Sequence, residues 1–319
     1  MKVGKILLGT RGSELARAQT LLVEKAIRQA YPGMAIETTV IATQGDKAKA
    51  LDPRAGRKGL FTAEIERALL TGDVDLAVHS AKDLPSEISP GLEIAAVLSR
   101  AAIDDVLVSK HPGGLASLPR GATVATGSVR RRHQLVWKRA DLRIVDLRGN
   151  VPTRLRKLAG NEWDAIVLAR AGLERLGMSL NDEISCEGRR FFLDILSHEI
   201  FLPAGGQGII AVQVRTDDQS TKAVVDLINH RETLLCLQAE REFLRGLQGD
   251  CNCPVGVIAK IENGNMKMRA QVFLQGATAP RQAEVEGAAD DQKRMVAELL
   301  NGLGTLAFTQ GHGFARKHE

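Results

Sequence analysis

The stretch Lys5-Ile6-Leu7-Leu8-Gly9-Thr10-Arg11-Gly12-Ser13, running into Glu14 and on to Ala30, sets the fold class. A short apolar run ends in a polar, glycine-bearing loop. Ser13 then stands in the capping position of an amphipathic stretch that places Leu15, Ala18, Leu22 and Ala26 on one face. The same alternation repeats: Ile36–Ala42, Leu76–His79, Leu92–Val97, Val106–Ser109, Val124–Thr126, Ile144–Leu147, Ala165–Leu168 and Ile209–Val214 read as strands, with helical patterns between them. Such alternation predicts α/β architecture with parallel sheets and crossover helices.

From about Thr221 the pattern changes to two closely spaced helical segments ending near Leu247. Three strands follow, Val255–Ile261, Met266–Gln275 and Gln282–Glu286, then a helix near Asp290–Leu303, with Glu262-Asn263-Gly264-Asn265 as a hairpin turn. This is a small α+β domain with a three-stranded antiparallel sheet. A break near Arg100–Asp104 and a return at Ile200–Val214 imply two α/β lobes with the chain crossing twice. The expected domains are 1–99 with 200–226, then 104–196, then 227–319, and a cleft between lobes is the usual place for a ligand.

A chain of 319 residues with 44% hydrophobic and 25% charged residues is long and apolar enough for several folded domains. Forty-three Lys and Arg against 38 Asp and Glu leave a net charge of +5, which suits an anionic partner. Aromatic content of 3% is poor material for stacking bases, so a nucleic-acid partner is not expected. Cys186, Cys236, Cys251 and Cys253 are too few and too unevenly spaced for a disulfide framework, and a reducing, cytoplasmic compartment fits. Ile6-Leu7-Leu8 is shorter than a signal-peptide core, and Phe201–Val214 is interrupted by Pro203, Gly205, Gly206 and Gly208, so no membrane segment is expected. With no coiled-coil or obvious interface stretch, a monomer is the default.

Four strand ends are built alike: Thr10-Arg11-Gly12-Ser13, Ser80-Ala81-Lys82-Asp83, Thr126-Gly127-Ser128-Val129-Arg130-Arg131, and Arg148-Gly149-Asn150 with Pro152. A helix start with free N–H groups beside an Arg or Lys is an anion site. For any one of them, a capped helix with a solvated Arg is the favoured reading. Four together favour the anion reading. Between Val129 and Lys157 stand ten basic residues against Asp141 and Asp146, arranged as though around a discrete polyanion of carboxylates or phosphates. No Walker A or GxGxxG pattern occurs at a strand–helix junction, which disfavours a nucleotide. Asp83 is either a turn-capping carboxylate or, among cations, a group that holds a cationic intermediate and moves protons. Cys251-Asn252-Cys253-Pro254 lacks a second ligand pair for zinc, so no metal is expected. The pair is either two plain thiols or one nucleophile carrying a covalent group.

Taken together these residues resemble the porphobilinogen deaminase (hydroxymethylbilane synthase) family. Eight blocks occur in order: Thr10–Ser13 with Leu15, Ala16 and Gln19; Lys58-Gly59-Leu60-Phe61 with Glu64; His79–Pro85; Thr126–Arg131; Leu147–Val151 with Thr153-Arg154-Leu155; Ala171-Gly172-Leu173 with Arg175-Leu176; Pro203 with Gly206-Gln207-Gly208; and Gly249–Pro254. The resemblance implies two periplasmic-binding-protein-like (transferrin-like) lobes and a third domain carrying the cofactor cysteine. It implies a transferase that condenses four porphobilinogens head to tail with loss of ammonia, elongating them on a covalent dipyrromethane cofactor, and hydrolysis that frees linear hydroxymethylbilane.

The family spacing, with two residues between cysteine and proline, selects Cys251 for the thioether, although Asp250 replaces a glycine and Cys253 an aliphatic residue. Gly127 stands where many members have Ser. By resemblance, Arg11, Lys82, Arg130, Arg131, Arg148, Arg154 and Arg175 hold cofactor and substrate carboxylates. Ser13, Ser80, Thr126, Gly127 and Ser128 add hydrogen bonds, while Gln19, Lys58 and Phe61 belong to the substrate side and the Gly45–Gly59 stretch to a lid. Asp83 stabilises the azafulvene-type cation left by ammonia. A rival reading is a non-catalytic polycarboxylate-binding protein, for which Cys251 has no role.

Overall fold

In the computed structural model, which describes residues 4–43, 62–181, 183–247 and 254–304, strand β1 (Lys5–Arg11) runs directly into helix α1 (Glu14–Ala30). The Ser13 hydroxyl accepts the Ala16 N–H at 3.3 Å and caps the helix. The first lobe adds β2 (Ala35–Ile41), β3 (Leu76–Ser80), β4 (Leu92–Val97) and β11 (Ile210–Arg215), in the order β2-β1-β3-β11-β4. Helix α1, helix α2 (Ala63–Leu70) and helix α6 (Gln219–Asp226) pack against this sheet. Ile6, Leu8, Val23, Ile27, Leu76 and Val212 form its main core.

The second lobe holds β5 (Asp105–Ser109), β6 (Thr123–Ala125), β7 (Arg143–Val145), β8 (Ala165–Ala169), β9 (Glu183–Cys186) and β10 (Arg189–Leu196), in the order β7-β6-β8-β5-β10-β9. Its helices are α3 (Val129–Lys138), α4 (Val151–Gly160) and α5 (Arg170–Arg175).

Both sheets are mixed, which corrects the expectation of parallel ones. β1 is parallel to β2 and β3, yet β11 is antiparallel to both β3 and β4. Likewise β6 is parallel to β7 and β8, while β5 is antiparallel to β8 and β10. The reason is the double crossing: the strand entering each lobe from the other arrives from the opposite end and slots in beside the lobe's third parallel strand. The hairpin β9–β10 was not expected from sequence. Its charged edge residues hide the alternation, although Glu187 and Gly188, both left-handed at φ 51° and 69°, make the turn that marks it.

The buried face of α1 also differs from expectation. Ala16, Gln19, Thr20, Val23 and Ile27 face the sheet, while Leu22 is 42% exposed and Leu15 faces Gly172 of the other lobe. Gln19 and Thr20 are tolerated inside because each has a partner: the Gln19 amide donates to the Ser80 hydroxyl at 2.8 Å and the Thr20 hydroxyl to that of Thr10 at 2.7 Å.

In the third unit, helices α7 (Arg231–Gly246) and α8 (Gln292–Gly302) pack with the antiparallel sheet of β12 (Val255–Glu262), β13 (Asn265–Val272) and β14 (Arg281–Ala288) around Phe243, Met266, Met268 and Met295. Asn263 and Gly264, at φ 52° and 81°, close the β12–β13 hairpin as its sequence implies. Among the described residues, no helix is long and apolar enough to cross a membrane.

Candidate active site

The two crossings, 98–104 and 197–209, lie against each other. Ala101 N–H donates to Gly208 O at 3.1 Å, and a Cβ on Gly208 would meet Ala101 O at 2.5 Å, so only glycine fits its φ of 84°. Gly206, at φ 74°, backs onto the chain at Ala81 and Lys82, where a Cβ would sit 3.0 Å from backbone atoms. The junction therefore holds the turn that follows β3.

That turn, Ala81–Asp83, is a single 3₁₀ turn and not the start of an α-helix as the sequence comparison of four strand ends suggested. Ala81 is buried and its N–H donates to Ile209 O at 3.0 Å. The pinning leaves Asp83 exposed and Lys82 half-buried, with Lys82 Nζ 3.4 Å from Gln207 Oε1. Burial lowers the Lys82 pKa to about 8; Arg131 and Arg130 push the same way, and Asp83 and Asp105 push back. Ser80 and Gln19, both expected in the site, pair with each other. Arg11 ends β1 and lies near enough to His79 to act on its charge.

The other three strand ends do open helices. Ser13 caps α1, Ser128 caps α3 by accepting Arg131 N–H at 3.4 Å, and Asn150 caps α4 by accepting Thr153 N–H at 2.9 Å. Ser128 N–H in turn donates to Thr126 Oγ1 at 3.2 Å. The loop at Gly127 touches the loop after β7 so closely that a Cβ would sit 2.5 Å from Leu147 O; a Ser there would need a backbone shift, which accounts for Gly at this position.

The basic stretch is not a ring of open cations. Arg130 and Arg131 are 4% and 6% exposed and share the buried Asp105: Arg131 Nη2 donates to Oδ1 at 2.7 Å and Arg130 Nη2 lies 2.9 Å from Oδ2. Arg130 also donates to Leu202 O and Arg131 to Val167 O. Burial alone would raise the Asp105 pKa, but the two guanidiniums and the hydrogen bonds from Arg131 and Gln207 hold it well below the usual carboxylate range. Arg139 pairs with Asp141 and donates to the carbonyls of Leu115 and Ala116, a structural role. Arg148 is paired with Asp146 at 3.1 Å on the surface, and Arg154 Nε donates to Gly149 O at 2.6 Å. Arg175 donates to Gly208 O at 2.6 Å, tying α5 to the crossing, and burial lowers its pKa to about 10, still charged at neutral pH.

Cys251, Lys58 and Phe61 lie outside the described residues, as does the 45–59 stretch. Sequence reading missed Asp105 and Gln207. Gln207 Nε2 donates to Asp105 Oδ1 at 2.9 Å and to Ile103 O at 2.7 Å, so it joins the crossing to the arginine pair. Its place between Gly206 and Gly208 was the available signal.

The donor set fits a polycarboxylate. Lys82, Arg130 and Arg131 outnumber the buried Asp105, and the Nε atoms of both arginines are buried without a hydrogen-bond partner, so the cluster keeps cationic donors that match carboxylate oxygens.

Comparison with known proteins agrees. The porphobilinogen deaminase, dipyromethane cofactor binding domain family matches residues 6–223, and the porphobilinogen deaminase, C-terminal domain family matches 234–303. The porphobilinogen deaminase of Syntrophomonas wolfei is 46% identical over 95% of this chain and 95% of its own. That of Pelotomaculum thermopropionicum is 42% identical over 98% of this chain and 93% of its own. Among solved structures, the methionine binding protein MetQ aligns with 73% of this chain and 93% of its own, at 16% identity and a TM-score of 0.43. On the two family matches and these full-length relatives, the chain belongs to the porphobilinogen deaminase family, and is a transferase of tetrapyrrole synthesis.

Proposed function

We propose that the family's reaction is performed at the junction of the two lobes, with Asp83 as its catalytic residue. The reaction joins four porphobilinogens head to tail; one water and four ammonia balance it, and the product is hydroxymethylbilane. The observation that carries the assignment is the pinned turn: Ala81 is anchored to Ile209 and backed by Gly206, so Asp83 is held as an exposed carboxylate next to Lys82, whose charge the Arg130–Arg131 pair also feels.

The dipyrromethane, held through Cys251, supplies the end on which the chain grows. Lys82, Arg130, Arg131 and Arg148, with Ser13, Ser80, Thr126, Gly127 and Ser128, hold its acetate and propionate groups. Arg11, Arg154, Arg175, Gln19, Lys58 and Phe61 serve the incoming porphobilinogen. Asp83 accepts the pyrrole N–H, stabilises the positive charge that develops as ammonia leaves, and takes up the proton released on bond formation. The same proposal places domain limits at 1–99 with 200–226, 104–196 and 227–319, and expects a cytoplasmic monomer without nucleic-acid or membrane partners.

Intact mass of the purified protein tests it. Extra mass of one dipyrromethane, absent from Cys251→Ala and growing by whole pyrrole units with porphobilinogen, is expected. A mass that stays at the bare sequence after incubation with porphobilinogen overturns covalent elongation and leaves a reversible polycarboxylate binder.

A further inference from the structure

Asp105 opens β5 at the end of the first crossing and is 1% exposed. One carboxylate there serves three side chains. Oδ1 accepts from Arg131 Nη2 at 2.7 Å and from Gln207 Nε2 at 2.9 Å, while Arg130 Nη2 approaches Oδ2 at 2.9 Å without the alignment of a hydrogen bond. Gln207 belongs to the second crossing and turns its other amide atom to Lys82 of the first lobe, at 3.4 Å. A continuous path therefore runs from the Lys82 ammonium through Gln207 and Asp105 to two guanidiniums of the second lobe, and it passes through both crossings.

We propose that Asp105 is the positioning residue of this site: it fixes the Arg130 and Arg131 guanidiniums and, through Gln207, keeps the Lys82 ammonium charged and aimed. The inference rests on the proposed function above. Two guanidiniums and an ammonium packed together repel one another, and without a buried counter-charge they splay or lose a proton. Three cations against the two carboxylates Asp105 and Asp83 leave a net surplus of one positive charge for ligand carboxylates. The groups acting on Lys82 are Asp83 on its own turn, Arg130 and Arg131 from α3, and Asp105 from β5. Of these, the two acids favour its charged form, so removing Asp105 must lower its pKa further.

The test compares wild type, Asp105→Asn and Gln207→Met. Lysine labelled with ¹³C at Cε reports the Lys82 titration by NMR, with Lys82→Gln identifying the signal. Wild type is expected to titrate at about 8, and both variants at lower pH, with the alkaline limb of kcat/KM moving the same way. In Asp105→Asn the KM for porphobilinogen is expected to rise by about tenfold or more, because two guanidiniums lose their buried partner. Gln207→Met leaves the arginine pair with Asp105, so its KM should rise less. Should Asp105→Asn fail to fold, Gln207→Met still tests the link to Lys82, and Asp105→Glu, which keeps the charge but displaces its oxygens, tests the hold on the guanidiniums through the same rise in KM. A Lys82 titration unchanged in the folded variants, or an Asp105→Asn enzyme with wild-type KM, overturns the role of Asp105. Wild type without any deaminase turnover instead overturns the proposed function, while the Lys82 titration still reports on Asp105.

Discussion

His79, on β3, is 5% exposed and its Nε2 has no hydrogen-bond partner. Burial lowers its pKa to about 4; the Gln213 amide partly opposes this and the Arg11 charge adds to it. Between pH 6.5 and 4 the unfolded chain takes up a proton that the folded one refuses. Stability must therefore fall as pH drops through that window, by on the order of 3 kcal/mol, and be fully present above it. Urea midpoints from pH 4 to 7 should show this slope, and His79→Gln should flatten it; an identical slope in the variant would exclude His79 as its source. At Asp83 the expectation is opposite in kind. The side chain is exposed at a turn held by backbone contacts, so Asp83→Asn should keep the melting temperature yet lose about 10²–10⁴-fold in kcat. Substantial activity in that variant would remove Asp83 from the chemistry.

At the scale of elements, the crossings are decided by glycine. Gly208 has both a left-handed φ and no room for a Cβ against Ala101 O, whereas Gly121, at φ 75°, has nothing within 4 Å of that position. Gly208→Ala should cost more than the about 1–2 kcal/mol of backbone strain expected for Gly121→Ala, because it also pushes the two crossings apart. Thermal melts of the two variants check this, and equal losses would mean that the crossings adjust freely. Helix α1 shows the limit of periodicity: the pattern marked a helix but put Leu15, Ala18, Leu22 and Ala26 on its buried face, whereas Gln19 and Thr20 face inward with Val23 and Ile27 because Ser80 and Thr10 supply partners that no local pattern announces.

For the whole molecule, Glu240 of α7 is fully buried and binds Arg100 through both Nη atoms, at 2.6 and 3.2 Å, as well as the N–H groups of Gly206 and Ala259 at 2.7 and 2.8 Å. One carboxylate thus fastens the third unit to both crossings. Glu240→Ala strands a half-buried guanidinium and two N–H groups, at a cost of about 3–5 kcal/mol. Calorimetry should then resolve a separate, earlier transition for the α7–α8 unit; a single unshifted transition would mean that apolar packing alone couples it.

The sequence by itself determined the α/β lobes, the α+β unit, most strands and the helix caps at three strand ends, because strand length, capping residues and turn glycines are local signals. Tertiary structure alone decided the mixed sheets, since antiparallel insertion of β5 and β11 follows from the chain crossing twice. It alone also decided which cations are open. Arg130 and Arg131 read only as cations set around a polyanion until Asp105, 25 residues upstream of Arg130, is folded against them, and charge pairing over such a distance leaves no periodic trace.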